Sequence, residues 1–297
     1  MPLIPIGFWR KETNTDVPDV PIAAALHFAF SHLLRTPGWA IIGVLCAFFL
    51  VAFLFLELLK LIFPLADPVF APDTFMTWDS WDFPRISFRG IAEDPAGILM
   101  LIATELFLLS SFLVATILQY RIALSAVRGL PLSRATFLQD FRLSLIIKFG
   151  IAWLLQTLIV YFGLVLFIIP GIIWGLMFCM TLWLVVDYQL DPIAALSSSR
   201  FLTRGIRWRL LLFYLALVGI GIVLSFVVVI ALAILISAIF EFATVEEIAN
   251  QGIALLLTLA LLFLFFPFRI LAEGFVYHWL LTARTQSSST TTAYPES

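Results

Sequence analysis

The most regular feature of the chain is a series of long apolar runs separated by short polar segments. Six runs have the length and character of membrane-spanning helices: 39–65, 97–120, 143–169, 172–190, 210–240 and 253–281. A helix needs about 20 apolar residues to cross about 30 Å of hydrocarbon. The pattern therefore predicts an all-α integral membrane protein with six transmembrane helices.

Proline and glycine mark the expected ends and interruptions of these runs. Pro170 and Gly171 alone separate the third run from the fourth, which predicts a tight hairpin at one membrane face. The fifth run is too long for one perpendicular helix, so it must tilt, extend past the membrane, or break near Gly219 and Gly221. Pro267 interrupts the sixth run, whose end is the boundary that the pattern defines least well.

Shorter amphipathic segments precede the first, third and fifth runs, and each predicts a helix lying in the membrane interface. They cover about 21–35, 131–142 and 192–204. The first should stop at 36–38; the third should be capped by Asp191, begin with Pro192 and end at Gly205. The tetrapeptide Pro-Ile-Ala-Ala opens both of these segments. We therefore expect three repeats, each an interfacial helix followed by a transmembrane hairpin.

Basic residues predict the orientation, because Lys and Arg concentrate on the cytoplasmic side of membrane proteins. With both termini inside, twelve basic residues fall in inner segments: Arg10, Lys11, Arg35, Arg121, Arg128, Arg134, Arg142, Arg200, Arg204, Arg207, Arg209 and Arg284. The outer segments contain only Arg85 and Arg89. The expected plan is a cytoplasmic segment 1–20, one membrane domain 21–284 with an outer loop 66–96, and a disordered cytoplasmic tail 285–297.

Composition agrees with a protein that has the bilayer as its solvent. Of 297 residues, 62% are hydrophobic and 12% are charged, about half the charged share of an average soluble domain. Cys46 and Cys179 both fall inside apolar runs, where a cysteine behaves as a small hydrophobic residue. No apolar run with a small-residue cleavage site follows the first basic residues, so we expect the first span to be retained.

Catalytic and metal-binding patterns are missing from the sequence. HExxH, GxSxG, Walker A and CxxC do not occur, and His27, His32 and His278 do not form an obvious ligand set. We therefore expect no enzyme activity, no cofactor, no metal and no nucleic-acid partner. An intramembrane enzyme is the weakest of the alternatives.

Charged residues within the runs are the candidate polar sites, because each costs about 2.5–3.5 kcal/mol at a helix centre and tends to face protein or water. Glu57 and Glu105 should lie at similar depth on the first two spans, with Lys60 one turn from Glu57. They constitute either a cation or proton site, or a Glu57–Lys60 ion pair beside a protonated Glu105.

A second candidate cluster lies nearer the cytoplasmic side. It consists of Lys148, Arg269 and Glu273. Arg269 and Glu273 are four residues apart on one predicted helix, so an internal ion pair is the simplest interpretation. The alternative is a polar site that is open to the cytoplasm.

The region 167–212 carries a family resemblance. The residues concerned are Pro170, Gly171, Ile172, Asp187, Ala195, Leu196, Ser199, Leu202, Thr203, Gly205, Trp208, Arg209 and Leu210, together with the later Pro267 and Tyr277. This spacing resembles the membrane domain of the glycerophosphoryl diester phosphodiesterase family and its stand-alone bacterial relatives of unknown function. The resemblance implies a six-helix bundle of the bacterial cytoplasmic membrane. It implies no activity, because the phosphodiesterase domain itself is not present.

Two functions follow as hypotheses. The first is a non-enzymatic accessory or scaffold subunit that contacts lipid and packs against other membrane proteins or itself, because 30 Phe and 9 Trp exceed what six helices can bury among themselves. The second is a transporter or lipid-handling protein that uses the intramembrane charges.

Overall fold

A computed structural model describes residues 19–62, 95–131, 142–239 and 265–291. Regular secondary structure in these ranges is entirely helical. The helices are α1 (Ile22–Leu33), α2 (Thr36–Ile62), α3 (Pro95–Val127), α4 (Leu143–Leu166), α5 (Ile168–Phe178), α6 (Thr181–Tyr188), α7 (Pro192–Leu202), α8 (Arg207–Ile239) and α9 (Phe266–Thr291).

Five segments in the described ranges are long and apolar enough to cross a membrane, as expected of a polytopic membrane protein. They are Thr36–Phe55, Ile102–Val127, Leu143–Leu166, Ile168–Tyr188 and Arg207–Leu224. The sixth expected span, 253–281, lies partly outside the described residues. Most of the interfacial segment 131–142 and most of the outer loop 66–96 also lie outside the described residues.

The chain divides into two compact units. One unit is Gly43–Thr116 and contains the greater part of the first hairpin. Within it, the rings of Phe55 on α2 and Phe107 on α3 stack with centroids 3.7 Å apart. Phe48 and Phe112 meet edge to face at 6.2 Å. These two contacts define an antiparallel pair of helices.

The other unit comprises Met1–Ile42 and Ile117–Ser297, and its core contains a column of aromatic rings. Tyr120 lies 6.0 Å from Phe149 and 4.3 Å from Trp183, measured between ring centroids. Trp183 in turn stacks on Tyr277 at 5.6 Å. The column joins the C-terminal part of α3 to α4, α6 and α9, and aromatic pairs of this kind stabilise beyond their buried area.

The hairpin between the third and fourth spans turns at Phe167 rather than at Pro170 and Gly171. Phe167 is extended, with φ −159° and ψ 145°, and α5 begins at the next residue. Its N–H donates to the Gly163 carbonyl and its own carbonyl accepts from the Gly171 N–H. Pro170 therefore lies in the first turn of α5, where a helix does not need its N–H.

Two further expectations about helix ends need correction, and one of the alternatives for the fifth run is excluded. Residues 36–38 begin α2 instead of stopping α1, because Pro is tolerated in a first helical turn. α8 runs unbroken for 33 residues through Gly219 and Gly221, about 50 Å long, so the fifth run does not break there and the alternatives of a tilt or an extension past the membrane stay open. α9 continues to Thr291, so 285–291 are helical although a disordered tail was expected from 285.

The expected interfacial helix 192–204 corresponds to α7 (Pro192–Leu202), and one of its faces is buried. Ala195, Ser198, Ser199 and Leu202 are buried, and α7 packs against α4, α5 and α6 as well as α9. Asp191 makes no capping hydrogen bond to α7. α7 therefore packs one face against the helical core, and its expected position in the membrane interface stays a prediction.

Candidate functional site

A buried ion pair joins the ends of two helices and a third helix closes over it. Nη2 of Arg128, just after α3, lies 2.7 Å from Oδ1 and 2.6 Å from Oδ2 of Asp187 on α6. The phenol of Tyr277 on α9 donates to Oδ2 of Asp187 at 2.9 Å. The Asp187 side chain is 4% exposed and that of Arg128 is 21% exposed. We call Arg128, Asp187 and Tyr277 the buried polar cluster.

Electrostatics keep the arginine of this cluster charged. Burial alone would lower the pKa of the Arg128 guanidinium, but the hydrogen bonds and the negative charge of Asp187 outweigh burial and raise that pKa above its usual value. A buried pair of this kind is strongly destabilised when one partner is removed, because the other charge is then left without compensation. The cluster therefore locks α3, α6 and α9 together.

Sequence reasoning found two members of the cluster and missed the third. The family resemblance includes Asp187 and Tyr277, whereas the sequence identifies Arg128 only as a basic residue of an expected inner segment. The available signal was that Asp187 ends an apolar span, where an acidic side chain needs a cation. The partner lies 59 residues away, so no local spacing identifies it.

The hydroxyls of Ser199 and Thr203 form hydrogen bonds to the backbone at a break in the fourth span. Helices α5 and α6 are separated at Cys179 and Met180, where the helical hydrogen bonding is interrupted. The Ser199 hydroxyl donates to the Met177 carbonyl at 3.0 Å and accepts from the Met180 N–H at 3.2 Å. The Thr203 hydroxyl also lies 3.2 Å from the Met177 carbonyl. α7 and the residue that follows it thus supply the polar partners that the broken span lacks, which an apolar environment requires.

The second candidate cluster separates into two unrelated ion pairs. Arg269 and Glu273 pair within α9 at 3.3 Å, and the Glu273 side chain is 4% exposed. Lys148 instead pairs with Asp191 at 2.7 Å and donates to the Gln189 carbonyl at 3.3 Å. Gln189 follows the last residue of α6 and has a left-handed backbone conformation, with a φ of 53°. Lys148 therefore binds the backbone at the point where α6 ends.

The first candidate cluster is only partly described. Glu57 and Lys60 lie in α2, and their side chains are outside the described part of the structure, whereas Glu105 on α3 is exposed. The Phe55–Phe107 contact is two residues before Glu57 and two after Glu105. Because α2 and α3 are antiparallel, the backbone positions of the two glutamates lie at the same level.

Two glycines of the family resemblance, Gly171 and Gly205, allow backbone arrangements that a side chain would disfavour. At Gly171 a Cβ would lie 2.7 Å from the backbone nitrogen of Leu164, so only glycine allows α4 and α5 to approach this closely. Gly205 has a φ of 86°, a conformation that favours glycine, and it follows the end of α7. Among the described residues, no group of three or more His, Cys, Asp or Glu could hold a metal ion.

Comparisons of the chain with protein-family models, with curated proteins and with solved structures found no match. The resemblance to the membrane domain of the glycerophosphoryl diester phosphodiesterase family therefore stays a prediction that depends on the residues of 167–212. The site itself is defined by geometry: a buried ion pair with a phenol, and a helix break filled by two hydroxyls.

Proposed function

We propose that the chain is a non-enzymatic accessory or scaffold subunit that packs against other membrane components. The observation that supports this function is that two buried carboxylates of the described residues are both held in ion pairs. Asp187 and Glu273 are both almost fully buried and both are held in ion pairs within the chain. Carboxylates fixed in this way stabilise a helix bundle, whereas a transport site needs a group that can exchange partners.

The proposal includes a membrane location and a topology for the protein. Six spans lie in the bacterial cytoplasmic membrane, with both termini in the cytoplasm, in the orientation that the basic residues favour. Three repeats of helix and hairpin, and membership of the resembled family, belong to the same proposal. Outward-facing apolar residues such as Phe162 (65% exposed) and Phe167 (73% exposed) then contact lipid or a partner subunit.

The experiment is the isolation of the full chain in native nanodiscs, followed by mass measurement of the intact particle. A particle that contains a second copy or another membrane protein in fixed ratio is the expected result. A homogeneous particle with one copy of the chain and lipid alone would contradict the proposal. The Phe167→Ser variant at the α4–α5 turn is expected to weaken the association if this turn contacts the partner.

The second candidate function is transport or lipid handling that uses Glu57 and Glu105. The equal level of their backbone positions on antiparallel helices favours it. Replacement of both by glutamine should abolish ion or proton uptake into proteoliposomes that contain the purified chain. Uptake that is absent from the unaltered chain, or unchanged in the double variant, removes this candidate.

A further inference from the structure

The turn between α7 and α8 forms an open basic cavity. Its volume is about 690 Å³, and it is lined by Arg200, Phe201, Arg204, Gly205, Arg207 and Trp208. Three of these six residues are arginines and none is acidic. We call this space the arginine cavity.

The positive charge of the arginine cavity is not balanced within the described part of the chain. Arg200, Arg204 and Arg207 have no carboxylate within ion-pairing distance among the described residues. Nε of Arg207 is buried and has no hydrogen-bond partner there. Arg209, only two residues further along and not part of the lining, does pair with Asp19. The cavity thus contains donors and charge that an anion would satisfy.

The position of Arg207 at the start of α8 adds to this imbalance. The N-terminus of a helix has a partial positive charge and unpaired N–H groups, and it favours anions. The first turn of α8 contains no acidic residue. An arginine placed there is repelled by the helix dipole unless a negative charge lies between them.

Helix α9 holds the turn in place from outside the cavity. Nη2 of Arg284 donates to the Arg204 carbonyl at 2.7 Å, and its guanidinium lies 5.6 Å from the centre of the Phe201 ring. Gly205 allows the sharp change of direction that brings the end of α7 next to the start of α8. The three arginines of the cavity therefore extend from a fixed backbone.

We propose that the arginine cavity binds the phosphate group of an anionic ligand. Guanidinium groups of Arg200, Arg204 and Arg207 donate to the phosphate oxygens, since the planar fork of arginine suits phosphate geometry. The indole of Trp208, which is 77% exposed and part of the cavity lining, suits a membrane interface. Two sources have this chemistry, a phospholipid headgroup and free phosphate. The inference does not depend on the proposed scaffold function.

The test measures lipid retained by the full chain in mild detergent, by native mass spectrometry. The unaltered chain should retain phosphatidylglycerol in preference to phosphatidylcholine. Arg200→Gln, Arg204→Gln and Arg207→Gln should each lower the affinity about tenfold, the loss expected for a charged hydrogen bond. Arg209→Gln is the matched control and should change nothing. An equal loss with Arg209→Gln would overturn the inference. It would also be overturned if the chain showed no preference for the anionic lipid and inorganic phosphate protected none of the three arginines from chemical labelling.

A second measurement uses the unaltered chain and does not depend on how the variants fold. Phenylglyoxal labels accessible arginines, and peptide mapping measures each one separately. Phosphatidylglycerol or inorganic phosphate should protect Arg200, Arg204 and Arg207 while Arg209 is labelled as before. Protection by lipid alone identifies a headgroup, and protection by inorganic phosphate identifies free phosphate; either supports the site. Uniform labelling in the presence of both probes would contradict it.

Discussion

The phenol of Tyr277 donates a hydrogen bond to Oδ2 of Asp187, across 90 residues of sequence. This bond brings α9 onto an ion pair that already joins α3 to α6. Removing the phenol oxygen in Tyr277→Phe leaves the ring in its stack with Trp183 and removes only the hydrogen bond. We expect the free energy of unfolding to fall by about 1.5–3 kcal/mol. Unfolding titrations in bicelles measure this loss, and an unchanged titration would show that the bond has no stabilising role.

Removal of the carboxylate should have a larger effect than removal of the phenol. Asp187→Ala leaves the Arg128 charge partly buried without its partner, so the expected loss is about 3–5 kcal/mol. Asp191→Ala is the control, because the Asp191 side chain is 74% exposed. Its ion pair with Lys148 should contribute less than about 1 kcal/mol. Equal losses in the two variants would argue against a special role for the buried polar cluster.

The two charges of the buried pair should be strongly coupled. Arg128→Met combined with Asp187→Leu removes both charges at once, so that neither is left unpaired in the interior. We expect the double variant to be more stable than either single variant, since apolar replacements of buried pairs are often nearly neutral. A double-mutant cycle measures the coupling. Additive losses would indicate that the two side chains act separately.

Ser199 should contribute to stability through the broken span. Ser199→Ala leaves the Met177 carbonyl with one partner fewer and the Met180 N–H without its acceptor. The expected loss is about 1–3 kcal/mol. Ser197→Ala is the matched control, because Ser197 is exposed and bonds only to its own helix, at the Ala194 carbonyl. The same unfolding assay applies, and a loss in Ser197→Ala equal to that in Ser199→Ala would contradict this account.

Close approach of α4 and α5 depends on the absence of a side chain at Gly171. In Gly171→Ala the new Cβ would meet the Leu164 backbone at 2.7 Å, so the helices must separate. Overpacking of this kind costs about 1–3 kcal/mol. In Gly175→Ala the nearest atom is Cγ1 of Val160 at 3.9 Å, an ordinary contact. The midpoint temperature of thermal unfolding should therefore fall in Gly171→Ala and remain unchanged in Gly175→Ala.

Apolar length and local spacing predicted the parts of the structure that depend on neighbouring residues. Five expected spans have corresponding helices because a long apolar run has few alternatives to a helix in hydrocarbon. The Arg269–Glu273 pair is visible from its spacing of four residues. The break at Cys179 and Met180 was not predicted, because it contains neither proline nor glycine and the surrounding run is apolar. Its cause lies in α7, whose hydroxyls stabilise a geometry that the local sequence does not require.

That break also has a consequence for how the protein is made. The Met180 N–H is paired with a residue 19 positions later, and the Met177 carbonyl with residues 22 and 26 positions later. A chain emerging from the ribosome therefore presents its fourth span before the partners of its broken turn have emerged. The span reaches its final form only when α7 has been synthesised and has folded back against it, so insertion and folding are ordered steps at this point of the chain.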